Sequence, residues 1–361
     1  MTNTNTDHNL KMNYSNARIR ELADSDALEI ADTIARINSR VIPFTRDVVL
    51  DAKFRQMLLS LTVPTSARPD KRRILAICGE SGAGKSTALA THTKRHEALK
   101  PYVDEDGVEI SPLLIYDAPN PCLPRLIAIE GLRKMGLDVR DNLRENEAWA
   151  RFRKMLVKHK INVVVIDEAQ NAIETATDVE VAKIADAFKQ LTQMPDWPVR
   201  LVLSGVPPLG AFVARKQLKN RTTIVKFLPI SVDSDLEMLE TIVQKVIVDH
   251  AQLRMHTSLS DDFCRRLAHA YTRDLGTIIQ AVREAVELVL YAKRDSVHID
   301  DFATAYASAS GCKSHHNIFK AADWENIDPM RSSFTLADEA WETARSERKR
   351  RRGNKSVVRP T

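Results

Sequence analysis

Eight consecutive residues, Gly79-Glu80-Ser81-Gly82-Ala83-Gly84-Lys85-Ser86, fit the spacing G-x-x-x-x-G-K-[ST]. Glycines at the first, fourth and sixth places let backbone N–H groups curl around phosphate oxygens. Lys85 is placed to neutralise the β- and γ-phosphates, and the Ser86 hydroxyl to ligate Mg²⁺, with Thr87 at the same helix start. About eighty residues on, the apolar run Val163 to Ile166 ends in Asp167-Glu168. Asp167 can hold the water shell of the same ion, and Glu168 can polarise a water against the γ-phosphate. An acid directly after the aspartate favours water as the acceptor over a bound alcohol, hence an ATPase rather than a kinase. A third run, Leu201 to Leu203, ends in Ser204-Gly205, where a small hydroxyl can face the attacked phosphate or simply make a turn. The basic stretch from Ala214 to Arg221 precedes the strand-like Thr223 to Leu228 and also reads as a solvated face.

Such residues need a sheet to hold them. The runs Ile74 to Cys78, Leu113 to Tyr116, Val163 to Ile166 and Leu201 to Leu203 are apolar at consecutive positions, the pattern of strands covered on both faces. They alternate with helical periodicity, which predicts an α/β P-loop NTPase core with a parallel sheet over residues 67–230. Before it, Ala17 to Leu61 carries helically spaced apolar residues broken at Pro43, so residues 1–66 are expected as an N-terminal helical region. After Ile230 four amphipathic stretches follow: Asp235 to Leu253, Ser260 to Ala270, Thr277 to Lys293 and Asp300 to Ala309. They predict a small all-helical lid over 231–310, with Ser260 and Asp300 as helix starts. From Gly311 the periodicity fades and a tail over 311–361 is expected.

Of the 361 residues, 43% are hydrophobic and 28% charged, which excludes a disordered or fibrous chain. The polar, Asn/Thr-rich stretch Met1 to Asn16 has no secretory pattern, and no apolar run of membrane length occurs, so a cytoplasmic protein without membrane association is expected. Cys78, Cys122, Cys264 and Cys312 are widely spaced, and neither they nor His315-His316 form a metal-ligand pattern. The chain carries a net charge of +5, while Trp341 to Thr361 alone carries eight Lys/Arg against two Glu. That tail, with Arg348-Lys349-Arg350-Arg351-Arg352 at its centre, suits either nucleic acid, an acidic partner or plain solvation.

The motifs together resemble the AAA+ ATPases. More narrowly, Asp167-Glu168-Ala169-Gln170-Asn171, Leu203-Ser204-Gly205-Val206-Pro207 and Gln217-Leu218-x-x-Arg221 resemble the transposition regulators TnsC and TniB, relatives of MuB. The resemblance covers roughly Arg18 to Phe319 and is most specific between residues 74 and 230. It implies ATP and Mg²⁺ at Gly79 to Thr87 and Asp167, Glu168 as catalytic base, Ser204 as sensor 1, and Arg221 as an arginine finger reaching a neighbouring subunit's γ-phosphate. The sensor 2 arginine of the lid falls on Gly276, with Arg273 as the nearest substitute. Asn317-Ile318-Phe319 stands where relatives carry a partner-docking turn. The implied protein is an ATP-dependent switch that forms a homo-oligomer, a ring or helical filament, on double-stranded DNA without regard to sequence. It would pass the target site, with a target-selection protein, to a transposase. Arg125, Arg133 and Lys134 are the expected DNA contacts, with a solvated helix face as the alternative. A helicase-loader-like DNA-remodelling ATPase and a protein-binding signalling adaptor are the competing functions.

Overall fold

The apolar runs become five strands: β1 Ile74–Gly79, β2 Leu113–Asp117, β3 Val163–Asp167, β4 Arg200–Gly205 and β5 Thr222–Phe227. In the computed structural model, which describes residues 16–63, 72–120, 123–174, 176–195, 197–256 and 259–329, they pair in the order β2-β3-β4-β1-β5, all parallel. Every residue of β1 and β4 is buried, as is β3 up to its last residue, which is why these strands read as unbroken apolar runs. The fold is the P-loop AAA+ arrangement expected from the sequence. A parallel sheet sends all its carboxyl ends to one edge, and here that edge carries Gly79, Asp117, Asp167, Gly205 and Phe227.

Ten helices of nine residues or more lie among the described residues: α1 Ser25–Ser39, α2 Thr45–Leu59, α3 Lys85–Arg95, α4 Pro124–Lys134, α5 Glu145–Lys158, α6 Asp178–Thr192, α7 Leu236–Gln244, α8 Asp261–Ala270, α9 Leu275–Tyr291 and α10 Ile299–Ser310. Their starts follow local chemistry. Pro124 opens α4, where its missing N–H costs nothing. Thr177 caps α6 and Glu180 returns to the Thr177 N–H at 2.8 Å. Ser260 caps α8 by accepting from the Phe263 N–H, as its sequence position predicts. None of the helices among the described residues is long and apolar enough to cross a membrane.

Two units emerge, one of Pro43–Leu228 and one joining Ile19–Ile42 to the described residues from Pro229 onward. In the first, one sheet face packs on α4, α5 and α6 through Ile127, Phe152 and Phe188, and the other on α2 and α3 through Phe54 and Leu89. Buried Arg200 at the start of β4 donates to the Ser60 Oγ and carbonyl, each at 2.7 Å, and so pins the end of α2. A small hairpin pairs Tyr102–Val103 with Glu109–Ile110, two residues a side and too short to leave a strand pattern in the sequence. Its turn is made by Asp104, whose carboxylate accepts from the N–H of Asp106 and Val108, and by Gly107 at φ 77°.

In the second unit, α1 packs against α9, and Lys293 pairs with Asp26 at 2.5 Å. α7 continues into a π turn, Lys245–His250, which Arg40 ties down through the Asp249 carbonyl at 2.8 Å. The expected tail needs correction over 311–329. Gly311, at φ 65°, ends α10, and the chain then folds back on its own unit. Asn317, Ile318, Phe319 and Trp324 are all buried, Phe319 lying among Phe263, Phe302 and Tyr306. Short 3-10 turns carry no periodicity, so the segment reads as irregular although Arg266 clasps its Ile318 and Ala321 carbonyls at 2.7 Å. The Arg348 to Arg352 run lies outside the described residues.

Candidate nucleotide-binding site

The loop leaves β1 at Gly79, where it is crowded against β5: a Cβ there would stand 2.7 Å from both the Phe227 Cβ and the Phe227 carbonyl oxygen. Gly82 and Gly84 both sit at φ 81°, a left-handed conformation that only glycine takes without strain. The loop then enters α3 at Lys85, so its N–H groups and the positive end of α3 face the same space. Lys85 is buried, and its ammonium donates to the carbonyls of Gly79 at 3.0 Å and Glu80 at 2.7 Å. An ammonium has three donors, which leaves one for a phosphate oxygen.

Across the sheet edge, the Ser86 hydroxyl donates to Asp167 Oδ2 at 2.6 Å, and Asp167 Oδ1 accepts the Glu168 N–H at 2.9 Å. A hydroxyl and a carboxylate converging next to a phosphate cradle are hard oxygen donors of the kind Mg²⁺ takes, so the residues present fit a Mg²⁺-nucleotide. Glu168 follows with its side chain exposed and its backbone at φ 50°, a conformation that costs a non-glycine residue about 1–2 kcal/mol. Its carboxylate accepts from Gln170 Nε2 at 2.5 Å. Thr87 is exposed on the first turn of α3, beside Ser86.

Lys85, Ser86, Asp167 and Glu168 therefore meet at one edge, as their order along the chain predicts. Ser204 lies one residue before the end of β4, wholly buried, its hydroxyl without a hydrogen-bond partner among the described residues. Arg221 is at the other end of the sheet. Its carbonyl accepts the Arg73 N–H at 2.8 Å, and the next residue, Thr222, pairs with Ile74, whereas the loop departs beside Phe227. Five residues of strand separate those ends by roughly 16 Å. Arg221 donates to the Gln217 carbonyl at 3.0 Å. In the helical unit, Arg273 is exposed at φ 63°, directly before α9.

Two of the three expected DNA contacts are engaged within the chain. Arg125 Nε donates to the Asp141 carbonyl at 3.2 Å, and Arg133 pairs with the Asp141 carboxylate at 2.9 Å while donating to the Val139 carbonyl. They hold the loop between α4 and α5; Lys134 is exposed. Helix α5 also presents a row of cations. Arg151, Lys154 and Lys158 fall at i, i+3 and i+7, all exposed, with Arg144 at its N-cap, and no ion pair engages them among the described residues.

Another missed cation lies at the loop itself. Arg46, on the first turn of α2, stacks its guanidinium 4.4 Å from the Phe227 ring centre, and its Nη2 would be 3.2 Å from a Cβ on Gly84. Burial pushes its pKa below the ordinary arginine value, and its Nε has no partner among the described residues. A lone arginine 33 residues ahead of Gly79 carries no signal of that proximity.

Residues 67–211 match the family model described as AAA domain. With the sheet order and the loop geometry, this makes the core an AAA ATPase domain in a P-loop AAA+ fold. The chain is similar in structure to the Aeropyrum pernix ORC2 protein in ADPNP–ADP complexes, at 16% identity and a TM-score of 0.50 over 77% of this chain and 72% of that one. It is also similar to Cdc6p from Pyrobaculum aerophilum, at 15% identity and a TM-score of 0.53 over 78% of this chain and 75% of that one. A third similar structure is the Aeropyrum pernix ORC1 protein in complex with DNA, at 18% identity and a TM-score of 0.52 over 75% of this chain and 66% of that one. No curated protein matches the chain.

Proposed function

We propose that this protein is an ATP-dependent switch that assembles with copies of itself on double-stranded DNA and hands the bound site to a transposase. ATP hydrolysis then limits the life of that assembly. The observation that carries the reading is the separation of Arg221 from its own loop by the length of β5. A guanidinium at that end cannot serve the nucleotide at the opposite edge of its own sheet, so its role as a finger requires a second subunit. The resemblance of its motifs to those of TnsC and TniB favours transposition over other uses of such a switch.

In this reading Lys85 and the loop N–H groups bind the phosphates, and Ser86 and Asp167 hold Mg²⁺, which supplies charge neutralisation on the phosphate oxygens when bound. Glu168 takes the proton of the attacking water. Ser204, at the end of β4, is the nucleotide sensor of this reading. DNA is taken through its phosphates by Lys134 and the α5 cations, which gives affinity without sequence information. A loader-like DNA-remodelling ATPase is the second reading, which a DNA-bound chain of similar fold, the ORC1 protein, also suits.

The experiment is strand transfer by a transposase partner, reconstituted with ATP and duplex DNA at two salt concentrations. Stimulation that needs ATP, with DNA affinity falling steeply as salt rises, is the expected result. ATP-dependent DNA binding with no effect on any transposase would favour the loader, and no DNA binding at low salt would favour a protein-binding adaptor. Mixing Arg221→Ala with Glu168→Gln chains tests the shared interface: recovered hydrolysis means that the two residues act across subunits, and persistent silence sinks that arrangement.

A further inference from the structure

Gln170 is 6% exposed, and both ends of its amide are engaged. Nε2 donates to Glu168 Oε2 at 2.5 Å, and Oε1 accepts the Val206 N–H at 3.2 Å, just past the end of β4. Only one orientation of the amide satisfies both partners, because the reverse would set a carbonyl against a carboxylate and an NH₂ against an N–H. The local backbone does not depend on this bridge. The Ala169 N–H already reaches the Ser204 carbonyl at 2.8 Å, and the Asn171 N–H reaches the Glu168 carbonyl at 2.9 Å. Gly205 is shaped to the bridge: a Cβ there would stand 2.4 Å from Gln170 Oε1. Glu168, in contrast, is exposed in a left-handed conformation, and among the described residues Gln170 is the hydrogen-bond partner of its carboxylate.

We infer that Gln170 is a positioning residue that fixes the Glu168 carboxylate to the end of β4, so that the base and the Ser204–Val206 segment move as one piece. The inference rests on the reading of Glu168 as the base. A side chain without an amide donor leaves the carboxylate free to rotate about its own bonds, and a misplacement of about 1 Å in such a group costs up to a hundredfold in rate. Nucleotide binding draws on the glycine loop and Lys85, which Gln170 does not touch.

The test is a double-mutant cycle on single-turnover ATP hydrolysis by the full chain with Mg²⁺ and duplex DNA. Gln170→Leu is expected to slow the parent tenfold or more while the Kd for ATP stays within twofold. In the Glu168→Gln background the same change should cost less than twofold, because the group it orients is already gone. Gly205→Ala, which pushes the amide aside, should mimic Gln170→Leu. Should the leucine variant fail to fold in a thermal melt, Gln170→Glu replaces it, since that change keeps the volume and the acceptor for Val206 but turns a carboxylate towards Glu168. An equal loss in both backgrounds, or no loss in the parent, overturns the positioning role while leaving Glu168 as base. Parent-like hydrolysis by Glu168→Gln alone overturns the base, and the inference with it.

Discussion

The nucleotide core and the helical unit use their polar side chains for opposite ends. In the core, Lys85, Ser86, Asp167 and Glu168 gather at one edge of a sheet whose buried strands are largely apolar, Arg200 and Ser204 being the buried polar residues of β4. In the helical unit the buried polar groups close the unit's own loops: Asn317 donates to the Ala303 carbonyl at 2.7 Å, Arg266 clasps the segment after Gly311, and Asp301 accepts the His298 N–H at 2.8 Å at the start of α10. The site residues of the first unit thus stand apart from its packing, whereas these polar groups of the second are part of its packing. Site substitutions in the core should silence a folded protein, whereas comparable ones in the helical unit should unfold it.

The widest separation should come from Lys85→Ala. Removing the ammonium leaves the β- and γ-phosphate charge uncompensated, so ATP binding is expected to be lost to fluorescence titration. Circular dichroism should still report the parent's secondary structure; a collapsed core would break the contrast. Next in size is Glu168→Gln, which keeps shape and loses the base. Turnover should fall by roughly a hundredfold or more with ATP binding retained, read by parallel hydrolysis and binding assays.

Phe319→Ala examines the other side. Truncating a buried ring packed on Phe263, Phe302 and Tyr306 should cost about 3–5 kcal/mol, visible as an earlier denaturation of the helical unit. A variant as stable as the parent would mean that this segment is not part of the unit's core. The smallest effect concerns alkaline pH. Burial pushes the Cys264 thiol up to about 11, the Tyr306 hydroxyl up to about 12 and the Tyr271 hydroxyl up as well, all within the helical unit. Such groups stay protonated when folded and ionise when unfolded. Their contribution is intact below pH 9 and lost as pH rises from there, by on the order of 2 kcal/mol for the thiol alone. In the core, burial likewise raises Cys78, but Lys226 and Lys85 pull it back. Denaturant midpoints at pH 7.5 and 10.5 should therefore fall further for the helical unit, and equal losses would remove this distinction.

How far the sequence revealed each unit follows from the same division. Gly79 to Ser86 is contiguous, and Asp167-Glu168 ends an unbroken apolar run, so spacing alone located both. Ser260 announced α8 because a cap acts within three residues. What stayed hidden depends on distance along the chain. Arg46 meets Phe227 only through folding, Gln170 acquires a purpose only beside Val206, and Arg125 and Arg133 look like free charges until Asp141 is brought to them. The segment 311–329 defeated pattern reading for another reason: its turns lack a period, and the groups that bury it, Arg266, Phe263 and Phe302, come from earlier helices.

The strand β5 has Arg221 at its entrance and Phe227 at its exit, and Phe227 touches both Gly79 and the Arg46 guanidinium. An extended strand laced to its neighbour over six rungs is stiff along its axis and cannot be compressed like a loop. The two ends are thereby held at a fixed spacing, and Arg221 cannot approach the glycine where the phosphate loop begins without breaking the pairing of β5 with β1.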